Sequence, residues 1–206
     1  MYQLITIPGT CSTGIHVLLN KLNVPFEVVK RDDIENYQAL VPTNQVPALQ
    51  TGESLITEGA AIVLYLADQH GVDLNRYGSK DIFRQWLMFN YATLHPAYSK
   101  LFTVNNVMAD SVEKHVVMQA LADRVADTWK IVDQRLSKQP YMTGDIPTVI
   151  DYLLAIYLNW GNYFPQLKIP VGENVLRLVN EVSTHQEFVA AFEKEGATFQ
   201  IPSSAI

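Results

Sequence analysis

The sequence predicts a small mixed α/β domain followed by an all-helical domain. Short apolar runs alternate with helical patterns in the first 70 residues, whereas residues 82–206 have a helical pattern almost throughout. Between them, the polar segment 71–81 shows no periodicity. We therefore expect an N-terminal domain at 1–70, a linker at 71–81 and a C-terminal helical domain at 82–206.

The first domain is predicted to follow the order β-α-β-(α)-β-β-α. The runs YQLITI and PFEVVKR are typical of strands, and VPALQTGESLIT is typical of two strands joined by a turn at Thr51-Gly52-Glu53. Apolar residues at i, i+3, i+4 and i+7 from Ile15 predict a helix after the first strand. The segment TEGAAIVLYLADQHG predicts a helix with Gly71 as its C′ residue.

The second domain is predicted to contain helices at about 82–108, 112–138, 148–160, 173–182 and 186–195. One of them carries a recognisable start signal. Thr148 is followed three residues later by Asp151, just before an apolar run, as in a capping box in which Asp replaces Glu or Gln. We interpret this pair as structural.

The composition is that of an ordinary globular protein. Of its 206 residues, 48% are hydrophobic and 17% are charged, and the formal net charge is −6. This acidic balance, without any basic run, argues against nucleic acid and against an anionic membrane surface as partners. We expect no signal peptide, no membrane span and a cytoplasmic location, where a single cysteine stays reduced.

The single cysteine, Cys11, follows a Pro-Gly turn and stands where the first helix begins. A helix N-terminus lowers the pKa of a thiol, and Ser12 beside it could donate a hydrogen bond to the sulfur. Free cysteine is also among the most buried residue types, which makes a structural role the alternative. Position alone leaves both interpretations open.

Other candidate residues carry weaker signals. Pro47 lies at the mouth of a predicted strand, where an ordinary trans edge proline is the simplest interpretation. Glu58 and Gly59 open a helix whose free N–H groups can bind an anion, and Glu58 could pair with a ligand ammonium. The alternative for Glu58 is a favourable contact with the helix dipole. The histidines match no metal-site spacing, so we expect no metal.

Taken in order, these motifs resemble a cytosolic glutathione transferase over nearly the whole chain. The resemblance rests on a strand followed by PGTCS, then NQVPAL, TEGAAIVLYLAD and GDIPTVIDYLL. The segments PGTCSTGIH and LHPAYSKLF, with the late Trp160, are similar to the bacterial beta class or a near relative. The resemblance implies a thioredoxin-like first domain, an all-helical second domain, a homodimer and a cis bond before Pro47.

The resemblance also implies roles for individual residues, with glutathione as substrate. Cys11 matches the cysteine that faces the glutathione sulfur, and His95 matches a histidine near the thiol. The catalytic residues expected on this basis are Cys11, Ser12 and His95. The residues expected to bind glutathione are Gln45, Val46, Pro47, Glu58 and Gly59. The residues expected to line an electrophile pocket are Ile7, Pro8, Tyr98, Phe102, Trp160 and Tyr163.

Three departures from the family pattern bear on binding. Gly59 stands where the family usually has serine, which removes a hydroxyl contact to the γ-glutamyl carboxylate. No residue clearly matches the family lysine that contacts the glycyl carboxylate, and Thr6 stands where many relatives have a tyrosine. Without that tyrosine, we expect the thiol to rely on Cys11, Ser12 and the helix N-terminus.

The resemblance implies an enzyme of detoxification with either of two chemistries. In one, the glutathione thiolate attacks a small apolar electrophile; in the other, Cys11 exchanges with a mixed disulfide of glutathione. The alternative is a non-enzymatic interaction protein of the same fold that has weakened or lost glutathione binding. A glutathione-dependent isomerase or dehalogenase would share the same site. Retention on immobilised glutathione separates the enzymes from the interaction protein.

Overall fold

The N-terminal part of the chain forms a four-stranded sheet with the order β2-β1-β3-β4. The computed structural model describes residues 1–52 and 54–206. The strands are β1 (Tyr2–Thr6), β2 (Phe26–Lys30), β3 (Ala48–Gln50) and β4 (Leu55–Thr57). β1 pairs with β2 in parallel and with β3 antiparallel, and β3 pairs with β4 antiparallel.

The predicted β-α-β-(α)-β-β-α order is confirmed. At the turn between β3 and β4, the Thr51 N–H donates to the Ser54 carbonyl at 2.8 Å. Glu53, which the sequence places in this turn, lies outside the described residues. In the middle of the sheet Leu4 is opposite Leu49, and both are fully buried. The apolar runs thus form the core face of the sheet.

Three helices accompany the sheet: α1 (Cys11–Leu22), α2 (Tyr37–Leu40) and α3 (Gly59–Gln69). The Thr10 side chain caps α1 by accepting from the Ser12 N–H. At the end of α3, Gly71 has φ +61°, a left-handed conformation that glycine adopts without steric cost. The Val72 N–H reaches back to the Ala67 carbonyl at 2.9 Å, as in a Schellman motif.

Six helices follow: α4 (Lys80–Phe89), α5 (His95–Val107), α6 (Val112–Leu136), α7 (Val149–Asn159), α8 (Glu173–Val182) and α9 (Gln186–Glu195). The prediction of a single helix at 82–108 is wrong, because a π-helical turn at Asn90–Leu94 separates α4 from α5. Pro96 supplies the physical reason: it has no N–H to donate, and its ring crowds the carbonyl four residues earlier. The limits of the two domains remain a prediction.

Helix α7 is the centre of the helical half, and every one of its residues is buried. It packs against α1 at Gly14, where an added Cβ would lie 2.5 Å from Leu153 Cδ2. The absence of a side chain at Gly14 therefore brings α7 against the first domain. Among the described residues, no helix is long and apolar enough to cross a membrane.

The predicted capping box at the start of α7 is confirmed. Asp151 Oδ2 accepts from the Thr148 N–H at 2.8 Å, and Thr148 Oγ1 accepts from the Ile150 N–H at 3.3 Å. Asp151 Oδ1 also accepts from the Met142 N–H at 2.8 Å, a contact that the sequence did not indicate. Burial raises the pKa of Asp151 to about 6, although these donors oppose the shift.

The substitution Asp151→Ala should destabilise the fold. It removes the acceptor for the N–H groups of Thr148 and Met142, both buried, and each unsatisfied donor costs about 1–3 kcal/mol. A loss of about 3 kcal/mol would lower the melting temperature by roughly 6–12 °C in a chain of this length. Calorimetry measures this, with Asp127→Ala on the exposed face of α6 as the control. Equal melting temperatures for the two variants would contradict a structural role for Asp151.

Candidate functional site

A cavity of about 700 Å³ lies between the sheet half and the helical half of the chain. On the sheet side it is lined by Ile7, Gly9, Thr10, Cys11, Arg31, Thr43, Gln45, Val46, Pro47, Thr57, Glu58 and Gly59. On the helical side it is lined by Tyr91, His95, Pro96, Ser99, Phe102, Trp160 and Tyr163. The first set is mixed in polarity and the second is largely aromatic.

The loop between β1 and α1 is bound to the helical half at Gly9. The Gly9 carbonyl accepts from Trp160 Nε1 at 2.9 Å, and the Gly9 N–H donates to Glu195 Oε2 at 3.3 Å. Glu195 is buried, and it also accepts from Thr13 Oγ1 at 2.7 Å and contacts His16 Nδ1 at 2.9 Å. One carboxylate thus fastens both the loop and the first turns of α1.

Cys11 is the first residue of α1, and its thiol lies at the cavity wall. The side chain is buried, with Sγ 3.5 Å from the Val46 carbonyl. Burial raises the pKa of Cys11 to about 12, the charge of Glu58 adds to this, and the N–H groups of Cys11 and Ser12 oppose it. The expectation of an unusually acidic thiol is therefore wrong, because desolvation outweighs the helix N-terminus.

The Ser12 hydroxyl does not bond to the sulfur, which corrects the sequence prediction, and Ser12 acts on Cys11 only through its backbone N–H. Its side chain is fully buried in the β1–α1 turn and does not line the cavity. Ser12 Oγ accepts from the Ile7 N–H at 3.2 Å, can donate to the Ile7 carbonyl, and lies 2.8 Å from Thr10 Oγ1. These bonds shape the loop. The hydroxyl that does help to lower the pKa of Cys11 is that of Thr10.

The segment 45–47 forms one edge of the cavity. The Val46–Pro47 peptide bond is cis, as the resemblance implies. The Gln45 carbonyl accepts from the Tyr37 hydroxyl at 2.8 Å, which fixes this segment against α2. The backbone of Val46 lies next to the thiol, so a ligand peptide paired with it would be placed beside Cys11.

Glu58 stands at the N-cap of α3 in an unusual conformation, with φ +67°. Positive φ is strained for a residue with a Cβ, and such strain is concentrated at ligand-binding sites. The exposed Glu58 side chain makes no capping hydrogen bond to α3 within the described part of the chain. Simple helix capping therefore does not explain Glu58, and its carboxylate faces the cavity together with Gly59.

The helical side of the cavity is an aromatic wall around Trp160. His95 lies edge-on to the Trp160 ring with centroids 5.2 Å apart, and Phe102 does so at 5.9 Å. Tyr163 packs against Phe102 and is largely exposed at the mouth of the cavity. Burial lowers the pKa of His95, so its imidazole is neutral at pH 7 and can accept a proton.

Two residues expected in the electrophile pocket lie elsewhere. Tyr98 is fully buried, and its hydroxyl accepts from Trp129 Nε1 at 3.0 Å instead of facing the cavity. Pro8 does not line the cavity either, although its neighbours Ile7 and Gly9 both do. Ser99, the next residue of α5, lies at the cavity in place of Tyr98.

Several cavity residues were missed by the sequence prediction. Arg31 follows β2 and is the one lysine or arginine among the lining residues, and its guanidinium also pairs with Asp32 at 2.8 Å. Its position directly after a strand was a usable signal. Tyr91 lies on the π-helical turn Asn90–Leu94, which the sequence analysis did not predict. Thr6, in contrast, is buried and does not reach the cavity.

The described residues contain no group of three or more His, Cys, Asp or Glu side chains arranged to hold a metal ion. The polar groups of the cavity are instead a thiol, a carboxylate, a guanidinium, an imidazole and free helix N–H groups. Such a set can bind a zwitterionic or anionic ligand that carries its own reactive atom.

Comparison with known proteins matches residues 10–76 to the family model described as glutathione S-transferase, N-terminal domain. One relative is glutathione S-transferase GST-4.5 from Xanthomonas campestris, 28% identical over 169 residues, with 78% of this chain and 82% of that protein covered. Another is glutathione S-transferase GstA from Escherichia coli O157:H7, 27% identical over 205 residues, with 92% and 96% covered.

Solved structures share the fold over nearly the whole chain. A sphingomonad glutathione S-transferase complexed with glutathione has a TM-score of 0.77 and 25% identity, covering 95% of this chain and 100% of that one. A bacterial beta class enzyme from Sphingomonas chungbukensis has a TM-score of 0.77 and 24% identity, with the same coverage. These likenesses confirm the fold class, and together with the curated relatives they support the resemblance to bacterial glutathione S-transferases.

Proposed function

We propose that the protein is a glutathione transferase that binds glutathione along the sheet side of the cavity. The observation that carries this proposal is the convergence of Cys11, the Val46 backbone and Glu58 on one cavity that also has an aromatic wall. Glutathione offers a thiol, a peptide backbone and an ammonium group, and each has a chemically matched partner there.

The two ends of glutathione would be held by charge. The γ-glutamyl ammonium lies at Glu58, whose carboxylate has no capping role to compete with this contact. The glycyl carboxylate lies at Arg31. Its guanidinium supplies the positive charge that the family's lysine, which has no clear match in this sequence, would provide. The cysteinyl part pairs with the backbone of Val46, between Gln45 and Pro47, and the sulfur then lies beside Cys11.

The electrophile would occupy the aromatic side of the cavity. Phe102, Trp160 and Tyr163 offer an apolar wall, and Ile7 closes it from the sheet. Neutral His95 faces the same space and can accept a proton during the reaction. A small apolar electrophile bound here would lie next to the sulfur of glutathione.

The chemistry favoured by Cys11 is conjugation by the glutathione thiolate. Since burial raises the pKa of Cys11 to about 12, its thiol is protonated at neutral pH and can donate a hydrogen bond to the sulfur anion of glutathione. That anion attacks the carbon of the electrophile and expels its leaving group or adds to its double bond.

Thiol–disulfide exchange is the second candidate, because Cys11 Sγ lies at the cavity wall. In that reaction the Cys11 thiolate attacks a glutathione disulfide, forms a mixed disulfide and releases the other sulfur as a thiolate. The high pKa of the buried thiol makes this slower than conjugation at neutral pH. The non-enzymatic alternative is disfavoured, because the groups that match glutathione all face the cavity.

The remaining assignments rest on the family. We propose a homodimer in the cytoplasm that acts in detoxification, with a glutathione-binding domain at 1–70, a linker at 71–81 and a helical domain at 82–206. Helix α3 ends at Gln69, just before the proposed linker, whereas α4 begins at Lys80, two residues before the proposed start of the helical domain.

The substitution Glu58→Gln should weaken glutathione binding without unfolding the protein. A charge-assisted bond to an ammonium contributes about 1.5–3 kcal/mol, so the Kd should rise by roughly 10- to 100-fold. Titration calorimetry with glutathione measures this. Glu113→Gln is the matched control, because Glu113 stands in the first turn of α6 and is remote from the cavity lining. If both variants bind glutathione like the wild type, Glu58 is not the ammonium site.

The Cys11 thiol should titrate above its usual range in the free protein. Since Cys11 is the one cysteine of the chain, the rate of alkylation by a thiol-specific reagent reports on it alone. This rate should still be rising well above pH 9, as burial raises the pKa of Cys11 to about 12. The folded state keeps the proton more tightly than the unfolded chain, so stability should fall as pH rises from about 9 towards 12. A plateau of alkylation below pH 8 would contradict the assignment of Cys11 as a protonated donor.

A further inference from the structure

Tyr91 occupies space that a side chain on α3 would otherwise take. Its ring lies directly against Gly59, the first residue of α3, so that a Cβ at position 59 would overlap both the ring and the hydroxyl of Tyr91. Tyr91 belongs to the helical half, on the π-helical turn Asn90–Leu94. A glycine on one half of the chain is thus matched to a tyrosine on the other.

The Tyr91 hydroxyl has an unused hydrogen-bonding capacity. It is buried, it has no partner among the residues that the structure describes, and Tyr91 lines the cavity. Burial raises the pKa of Tyr91 well above its usual value, and the charge of Cys11 would raise it further. The group therefore stays protonated and can donate. Buried donors in proteins are nearly always paired, which points to a partner brought by the ligand.

The surroundings of this hydroxyl favour an anionic partner. The N–H groups at the start of α3 have no helical acceptor and carry the positive end of the helix dipole. Glu58 precedes them with its carboxylate in the cavity. A ligand group that carries an ammonium and a carboxylate on one carbon can satisfy both, with the ammonium at Glu58 and the carboxylate at the N–H groups.

We propose that the Tyr91 hydroxyl donates a hydrogen bond to the γ-glutamyl α-carboxylate of glutathione, together with the first N–H groups of α3. This rests on the proposed function and makes Tyr91 a binding residue supplied by the helical half. The absence of a side chain at Gly59 then does not weaken the site, because it makes room for the phenol.

The turn that carries Tyr91 is itself fastened in place. Asn90 is fully buried, and its Nδ2 donates to the Trp86 carbonyl at 3.3 Å and to the Ile150 carbonyl of α7 at 3.5 Å. The ring of Tyr91 is therefore held between α7 and the start of α3 before any ligand arrives. Such preorganisation reduces the entropy lost on binding.

The test compares glutathione with γ-aminobutyryl-cysteinyl-glycine, in which hydrogen replaces the γ-glutamyl α-carboxylate. Wild-type protein should bind glutathione at least tenfold more tightly than this analogue, by titration calorimetry. Tyr91→Phe should weaken glutathione about tenfold and leave the affinity for the analogue unchanged. Thr143→Val is the control, because it removes another buried, unpartnered hydroxyl of the described structure that does not line the cavity. It should leave both affinities unchanged.

A rescue variant separates the hydroxyl from the fold. Gly59→Ser alone should impair binding, because the serine overlaps Tyr91, whereas Gly59→Ser combined with Tyr91→Ala should restore preference for glutathione over the analogue. Equal loss for both ligands in Tyr91→Phe, with a raised pKa of the bound glutathione thiol, would place the hydroxyl at the sulfur and overturn the proposal. A Tyr91→Phe variant that binds glutathione as tightly as the wild type would overturn the proposal as well. Failure of the wild type to bind glutathione at all would instead overturn the proposed function, and this inference with it.

Discussion

The peptide group of Gly9 is the constraint on which the arrangement of the cavity depends. Its carbonyl and its N–H are both bonded to the helical half, to Trp160 and Glu195. Since Gly9 lies two residues before Cys11, these two bonds set where the thiol stands relative to the aromatic wall. Trp160 is itself the centre of that wall, so one indole both positions the loop and lines the cavity.

The electrostatics of the cavity follow from burial on one side and exposure on the other. Cys11 and His95 are desolvated, so both are neutral at pH 7, whereas Glu58 and Arg31 are the acidic and the basic side chain on the sheet side of the cavity. The reacting sulfur would thus be brought by glutathione. Under the proposed function, the protein would supply neutral donors and acceptors around this sulfur, and Glu58 and Arg31 would hold the two ends of the substrate.

Much of this could be predicted from local pattern. The sequence of strands and helices in the first domain, the helix start at Cys11, the C′ glycine at Gly71 and the Thr148–Asp151 capping box depend on neighbouring residues. All are found. The predictions that failed depend on contacts between residues far apart in the sequence. A π-helical turn interrupts the expected helix, Tyr98 is buried with its hydroxyl bonded to Trp129, and the burial of Cys11 by other parts of the chain reverses its expected pKa shift. The contact between Gly59 and Tyr91 joins the two halves of the chain, so it cannot be predicted from the sequence around either residue.

The most direct measurement of the Gly9 constraint is amide hydrogen exchange in Trp160→Phe, which removes the indole N–H and keeps an aromatic ring in the wall. An unpaired buried carbonyl costs about 1–3 kcal/mol, so exchange over residues 9–15 should accelerate roughly tenfold or more. Exchange in α6, which does not contact the loop, should stay unchanged, and glutathione affinity should fall. Unchanged exchange over residues 9–15 in a folded variant would show that the Trp160–Gly9 bond does not hold the loop, and would contradict this account.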